Sequence, residues 1–251
     1  MNKNLTYKLK LVTEISEDEL KRMFTVMSAN YDYITLEAFK KDLSNKDYAG
    51  ILLDDNLNIQ GFTTFAINPK NYQHPEYNIL FSGDTVISSD YVGSQELGKG
   101  WCKTVGSILA KFPEKKWMWY LMSKGYKTYL YLPFFFNKYY PAAKESEHEN
   151  HQSIAHQCST HFFGNEWNKK KGIVQFTNKI GQVKKEHAQK SFKKSNLYVD
   201  YFLERNPGFV NGDELVCIAE LAIDNFKRFP KLLISRTINS NSTFDIHSNE
   251  L

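Results

Sequence analysis

The chain has little cysteine, little proline and no long apolar run. Its three cysteines, Cys102, Cys158 and Cys217, are far apart and odd in number. That excludes a disulfide framework and points to a reducing cytoplasm. Seven prolines and thirteen glycines in 251 residues are too few for a collagen-like or low-complexity chain. No stretch approaches the ~18 apolar residues of a spanning helix, so no membrane segment is expected. The opening MNKNLTYKLKLVTEIS lacks the apolar centre of a signal peptide. No internal repeat recurs. A strong charge of one sign is also missing: a net +4 is mild and does not by itself argue for nucleic acid.

What remains describes an ordinary folded protein. Hydrophobic residues make up 41% and aromatic residues 15%, which excludes a disordered chain. The length is enough for one large domain or two small ones. The aromatic excess suggests a stacking or apolar-binding surface.

Periodicity gives the order of elements. Tyr7 to Val12 alternates as a strand. Ser16-Glu17-Asp18-Glu19 is a capping box, and Leu20, Met23, Phe24 and Met27 give the helix after it an apolar stripe. Thr35 caps a second short helix with Leu36, Phe39 and Leu43. Ala49 to Leu53, a turn at Asp54 to Asn58, and Ile59 to Ile67 form a hairpin. With Tyr77 to Ile87 it becomes a three-stranded antiparallel meander. Trp117 to Leu121 is a further strand, preceded by a helix that ends near Phe112-Pro113.

The stretch Tyr77 to Ala110 organises the rest. It reads as a strand, a glycine-rich polar turn and a helix carrying Trp101, Val105, Ile108 and Leu109. The first N–H groups of a helix have no intrahelical partner, and the dipole favours an anion there. Glycine lets a backbone approach a phosphate closely. Gln95-Glu96-Leu97-Gly98-Lys99-Gly100 spells Q-x-x-G-x-G. With that spelling, in that setting, the chain resembles the GNAT acyltransferase superfamily, whose R/Q-x-x-G-x-G/A loop binds the pyrophosphate of acetyl-CoA.

The resemblance covers roughly Tyr7 to Tyr140 and implies a fold, a cofactor and a site. The fold is α/β (α+β): a mixed, mostly antiparallel central sheet flanked by helices, here with extra C-terminal helices. The implied co-substrate is acetyl-CoA or another acyl-CoA, with no metal. The pyrophosphate is expected at Gln95, Gly98, Lys99 and Gly100. A second register, counted from Ile87, puts the turn at Tyr91-Val92-Gly93-Ser94 and starts the helix near Gln95. It costs about 1 kcal/mol for each glycine buried in a helix, so the literal motif is preferred and Gly93 and Ser94 are secondary candidates. In the family the strands on either side of this helix splay apart. Backbone donors near Val86 or Ile87 would then polarise the thioester carbonyl. Tyr31, Asp32 and Tyr33 fall in the loop that contacts the acceptor substrate. Tyr139 and Tyr140 match the position of the tyrosine that protonates the departing thiolate. The segment departs from the family helix by carrying Pro133 and Pro141.

For the base, Asp84 is the first choice, and strand alternation puts it on the face of Ser82 and Val86. Glu96 also lies in the loop. Cys102 falls on a helix with no catalytic histidine suggested nearby, which argues against a thiol nucleophile.

The C-terminal hundred residues match no part of the common template. Residues 1–143 are assigned to an acyl-CoA-binding core, 144–234 to an extension that packs on and completes the sheet, and 235–251 to a frayed tail. His148, His151, His156, His161 and Cys158 have no zinc spacing, and a linker followed by a helix, Ile154 to Phe163, reads better. Gly172 to Thr177 reads as the sixth strand. Lys169 to Lys194 is a lysine-rich solvated face without the aromatic interleaving of a single-strand binder. Leu197 to Leu203 reads as helical. Asp213-Glu214-Leu215 opens a last helix with Ile218, Ala219, Ala222 and Phe226. The expected activity is direct acyl transfer from CoA to a small-molecule or peptide amine. The alternatives are a non-catalytic CoA- or anion-binding protein, and a nucleic-acid-associated module.

Overall fold

Local signals shape the first half of the chain. The computed structural model describes residues 4–143, 149–177, 181–184, 196–240 and 243–246. Alternation makes β1 (Thr6–Leu11) a strand. The capping box opens α1 (Glu17–Asn30): Glu19 N donates to Ser16 Oγ at 3.2 Å, and Ser16 N donates to Glu19 Oε2 at 2.9 Å. A short β2 (Tyr31–Asp32) leads to α2 (Leu36–Leu43), capped by Thr35. β3 (Tyr48–Leu53), β4 (Ile59–Ile67) and β5 (Asn78–Ile87) form the antiparallel meander. α3 (Glu96–Lys111) then crosses to β6 (Trp117–Ser123), which lies parallel to β5.

The remaining elements are α4 (Tyr126–Tyr129), α5 (Tyr131–Phe135), α6 (Glu149–Phe163), β7 (Trp167–Asn168), β8 (Ile173–Val174) and β9 (Gln182–Val183). After them come α7 (Leu197–Arg205), β10 (Glu214–Glu220) and α8 (Arg228–Ile238). Eight strands join one sheet in the order β1-β3-β4-β5-β6-β10-β8-β7, and β2 pairs with β9. Among the described residues every ladder is antiparallel except β5 with β6. This is the mixed, mostly antiparallel sheet flanked by helices that the sequence leads one to expect.

Both faces of the sheet are covered. On one face Trp101, Val105 and Ile108 of α3 pack with Leu80, Trp119 and Leu121 of the strands and Ile234 of α8. On the other face α1 and α2 cover the β3–β4–β5 half through Met23, Met27 and Phe39. There α6 covers the β5–β6–β10 half through Ile154, Cys158 and Phe162. Fully burying each such side chain stabilises by about 1.5–3 kcal/mol. Gly106 permits the close α3–α8 crossing: a Cβ there would sit 2.7 Å from Thr237 Cβ and 3.0 Å from Ile234 O.

The C-terminal part corrects three expectations. The segment expected as a last helix is β10, a strand between β6 and β8. Leu215 to Ala219 are five consecutive residues without exposure. A strand covered on both faces shows an unbroken apolar run, and spacings of three and four can be picked from any such run. The last helix is α8, and residues 235–240, expected to fray, continue it and its end, while Phe244 N donates to Ser107 Oγ at 2.9 Å. The strand beside β6 is therefore β10, and Gly172 to Thr177 supplies only the two-residue β8. Of the lysine-rich face, Lys179, Lys185, Lys190, Lys193 and Lys194 lie outside the described residues.

Candidate functional site

A bulge in β5 creates the site. Thr63 pairs with Thr85 and Phe65 with Ser82, so Thr64 alone faces both Gly83 and Asp84. An extra residue on one strand bends it and raises its twist. The β5–β6 ladder ends at Ser82 opposite Leu121, just before the bulge. β6 continues to Ser123 against β10, while β5 continues to Ile87 against β4. The two parallel strands therefore separate into a notch.

The bulge also breaks the alternation. Ser82 Oγ accepts from Trp119 Nε1 at 2.7 Å on the α3 face. Asp84 lines the cavity on the opposite face, where Val86 packs among the α1 and α2 side chains. The expectation that Asp84 shares a face with Ser82 is thus corrected, and its pairing with Val86 stands. Backbone directions follow from two hydrogen bonds. Ser88 N donates to Gln60 O of the β4 side at 2.7 Å, whereas Asn30 Nδ2 donates to Ile87 O at 3.4 Å. Alternation then turns the Val86 amide toward β4, and those of Thr85 and Ile87 toward the notch.

Two cavities meet at the notch. One, of about 550 Å³, lies against α1 and α2 and contains Asp84, Lys124 and Glu214. The other, of about 430 Å³, lies below the glycine turn and is lined by Val86, Ile87, Gly93, Ser94, Tyr126 and Tyr131. Tyr31, Thr85 and Thr128 line both. Trp101, on the wall of the narrow space between Ser82, Thr85 and Tyr131, buries its Nε1–H without a hydrogen bond among the described residues.

The first cavity concentrates charge. Lys124 Nζ stands 3.3 Å from Glu214 Oε1 and 5.5 Å over the Tyr31 ring. Lys46 Nζ stands 2.9 Å from Asp42 Oδ1. Burial, then Asp42, raises the Asp84 carboxyl above the usual aspartate range, and Lys124 and Lys46 offset this in part. Burial likewise raises Glu214, against the pull of Lys124. For Lys124, burial favours the neutral amine, but Glu214 and Asp84 outweigh it and hold the ammonium above the usual lysine range. Burial pushes the Tyr31 phenol up to about 12.

The literal glycine motif is not a loop. α3 starts at Glu96, which encloses Gly98, Lys99 and Gly100 and leaves Gln95 as the residue before the helix. A Cβ on Gly100 would overlap the Tyr7 ring, and one on Gly98 would stand 3.3 Å from Phe135 Cζ. These glycines serve packing, and Lys99 pairs with Glu96 at 2.7 Å. The turn is the alternative register. Ser94 N donates to Tyr91 O at 3.0 Å, Gly93 holds φ at +95°, and a Cβ there would meet open space. Ser94 Oγ accepts from Glu96 N at 3.3 Å.

Other expected residues divide. Tyr31 reaches the notch, whereas Asp32 and Tyr33 are exposed and line neither cavity. Tyr139 and Tyr140 also line neither cavity. After Phe135 the chain leaves the helix and runs along β10, with Tyr140 and Ile218 exchanging two backbone hydrogen bonds of 2.8 Å. The tyrosines that join Tyr31 at the notch are Tyr126 and Tyr131, about ten residues before Tyr139 and Tyr140, and burial raises the Tyr131 phenol. Cys102 is buried, with its thiol pushed up to about 12, and is no nucleophile. Sequence reading missed Lys124, Glu214 and Thr85. Lys124 carries no motif, and Glu214 was masked by the helical reading of its segment.

The bulged strand, the notch beside it and a helix rising from a glycine turn at its mouth form one continuous site on the mixed sheet. No protein-family model matches the sequence, and no curated protein matches it. Several solved structures are similar over part of the chain. A conserved protein of Enterococcus faecalis V583, described as a probable N-acyltransferase, is 18% identical with a TM-score of 0.40. That match covers 54% of this chain and 33% of the other, so this chain spans about a third of that protein. Escherichia coli ElaA is 14% identical with a TM-score of 0.38, covering 58% and 93%. The GNAT family N-acetyltransferase YhbS of Escherichia coli, solved with CoA, is 12% identical with a TM-score of 0.34, covering 49% and 66%.

Proposed function

We propose that the protein is an acyl-CoA-dependent N-acyltransferase, with acetyl-CoA the simplest donor. The observation that carries this is the notch: it joins a cavity below an anion-favouring turn to a cavity holding a carboxylate with a raised pKa. The residues suit CoA. Gly93 leaves open space at the N-terminus of a 16-residue helix, where Ser94 and the first free N–H groups would hold a pyrophosphate. The groove lined by Val86, Ile87, Tyr126 and Tyr131 would hold the pantetheine arm. When bound, the thioester supplies an electrophilic acyl carbon.

The chain's own groups do the rest. The Thr85 and Ile87 amides face the notch and would polarise a carbonyl oxygen placed there. Asp84 would take the proton from an acceptor ammonium. Its raised pKa brings it nearer to that task than an ordinary aspartate. Tyr131 replaces Tyr139 and Tyr140 as the phenol placed to donate a proton to a leaving thiolate. Calorimetric titration of the full chain with acetyl-CoA and with CoA tests the reading, alongside a Gly93→Asp variant. Saturable binding that the variant loses supports it. A folded parent that binds neither overturns it.

A further inference from the structure

The cavity against α1 and α2 separates two chemistries. Its walls are hydrocarbon, from Met27, Ile34, Phe39, Phe81, Met122 and Phe163. Its charges gather at the bulge. Lys46 lies there, because a Cβ on Gly83 would meet its Cε at 2.7 Å. Two of the three carboxylates are matched: Asp42 by Lys46 at 2.9 Å, and Glu214 by Lys124 at 3.3 Å. Asp84 has no hydrogen bond among the described residues, and Lys41 lines the cavity only from the exposed surface of α2, where Asp42 also lies. A half-buried carboxylate with no hydrogen bond of its own favours a cation. The pairing leaves room for one. A second ammonium would meet Lys46 and Lys124, and a carboxylate on the guest would meet Asp42, Asp84 and Glu214.

We propose that this cavity takes a monocationic primary amine with an apolar body, of the arylalkylamine class, with the ammonium at Asp84 and the hydrocarbon against the helix side of the cavity. As an assignment of the acyl acceptor this rests on the transferase reading; as a binding site it does not.

The test is calorimetric titration of the full chain with 2-phenylethylamine, spermidine and phenylalanine, with acetyl-CoA titrated separately. The expected result is saturable binding of 2-phenylethylamine, at least about tenfold tighter than either of the others. Asp84→Asn, which keeps the shape, weakens it about tenfold or more, as loss of a charge-assisted bond predicts. Ala38→Phe, at an exposed position on the cavity wall, fills the apolar space without touching the core and weakens 2-phenylethylamine more than ethylamine. Equal or tighter binding of spermidine or phenylalanine overturns the proposal. So does an Asp84→Asn variant with unchanged affinity, or a parent that binds no amine. Acetyl-CoA binding without amine binding removes the acceptor class and spares the transferase. Amine binding without acetyl-CoA binding removes the transferase and spares the site.

Discussion

Gly100→Ala separates a packing glycine from a phosphate-binding one. In an open helix this change stabilises by about 1 kcal/mol. Here the new methyl group enters the Tyr7 ring. That ring is held on both sides. Its hydroxyl bonds Thr104 Oγ1 at 2.9 Å, its outer edge already occupies the space where a Cβ of Gly50 would be, and it packs 5.9 Å from Phe244. Forcing an extra methyl into such a seam costs about 1–3 kcal/mol. The net expectation is a loss of about 1 kcal/mol in urea unfolding, with the slope unchanged. In a Tyr7→Ala background the obstacle is gone, and the same change should stabilise by about 1 kcal/mol. Acetyl-CoA affinity should stay within about twofold while the protein is folded, because Gly100 lies a full turn inside α3. A Gly100→Ala protein that is more stable than its parent refutes the packing argument. One that is folded but no longer binds acetyl-CoA returns the phosphate to the literal motif.

Three further outcomes follow from the same geometry. Gly106→Ala should cost about 2 kcal/mol by melting temperature, because its Cβ meets the Ile234 carbonyl, which cannot move away as a side chain can. Asp84 has a folded pKa raised by burial, so its contribution to stability is full below the unfolded value of about 3.9 and is lost as pH rises through the folded value. Asp84→Asn should remove that fall in stability, and with it an acid limb of kcat/KM lying above the ordinary aspartate range; an unchanged pH profile would exclude Asp84 as the base. Lys124→Met should destabilise by about 3 kcal/mol near neutral pH, since it leaves Glu214 buried and unpaired. The loss should shrink in acid as Glu214 takes a proton, which paired urea titrations at two pH values would read.

The sequence was most legible where the cause was local. The Ser16 capping box, the Thr35 cap, the Asp54 turn and the alternation of β1 each depend on residues within a few positions of one another. It was least legible where burial came from distant segments. Leu215 to Ala219 are apolar because β6, β8 and α6 surround them, and no spacing within the segment records that. Gly98 and Gly100 spelled a loop, but Phe135 and Tyr7 decide that they are contact points on a helix.

The amino-acid sequence by itself determined the meander, the strand–turn–helix unit and the presence of a carboxylate, Asp84, on the central strand. These follow from short-range periodicity and capping. Tertiary structure alone decided which glycine opens the turn, which tyrosine stands at the notch, and that Lys124 and Glu214 join Asp84. Those outcomes depend on the bulge at Gly83 and Asp84 and on where β10 docks. One extra residue in β5 bends the strand, ends its ladder with β6, and brings side chains 40 to 130 positions apart around one opening.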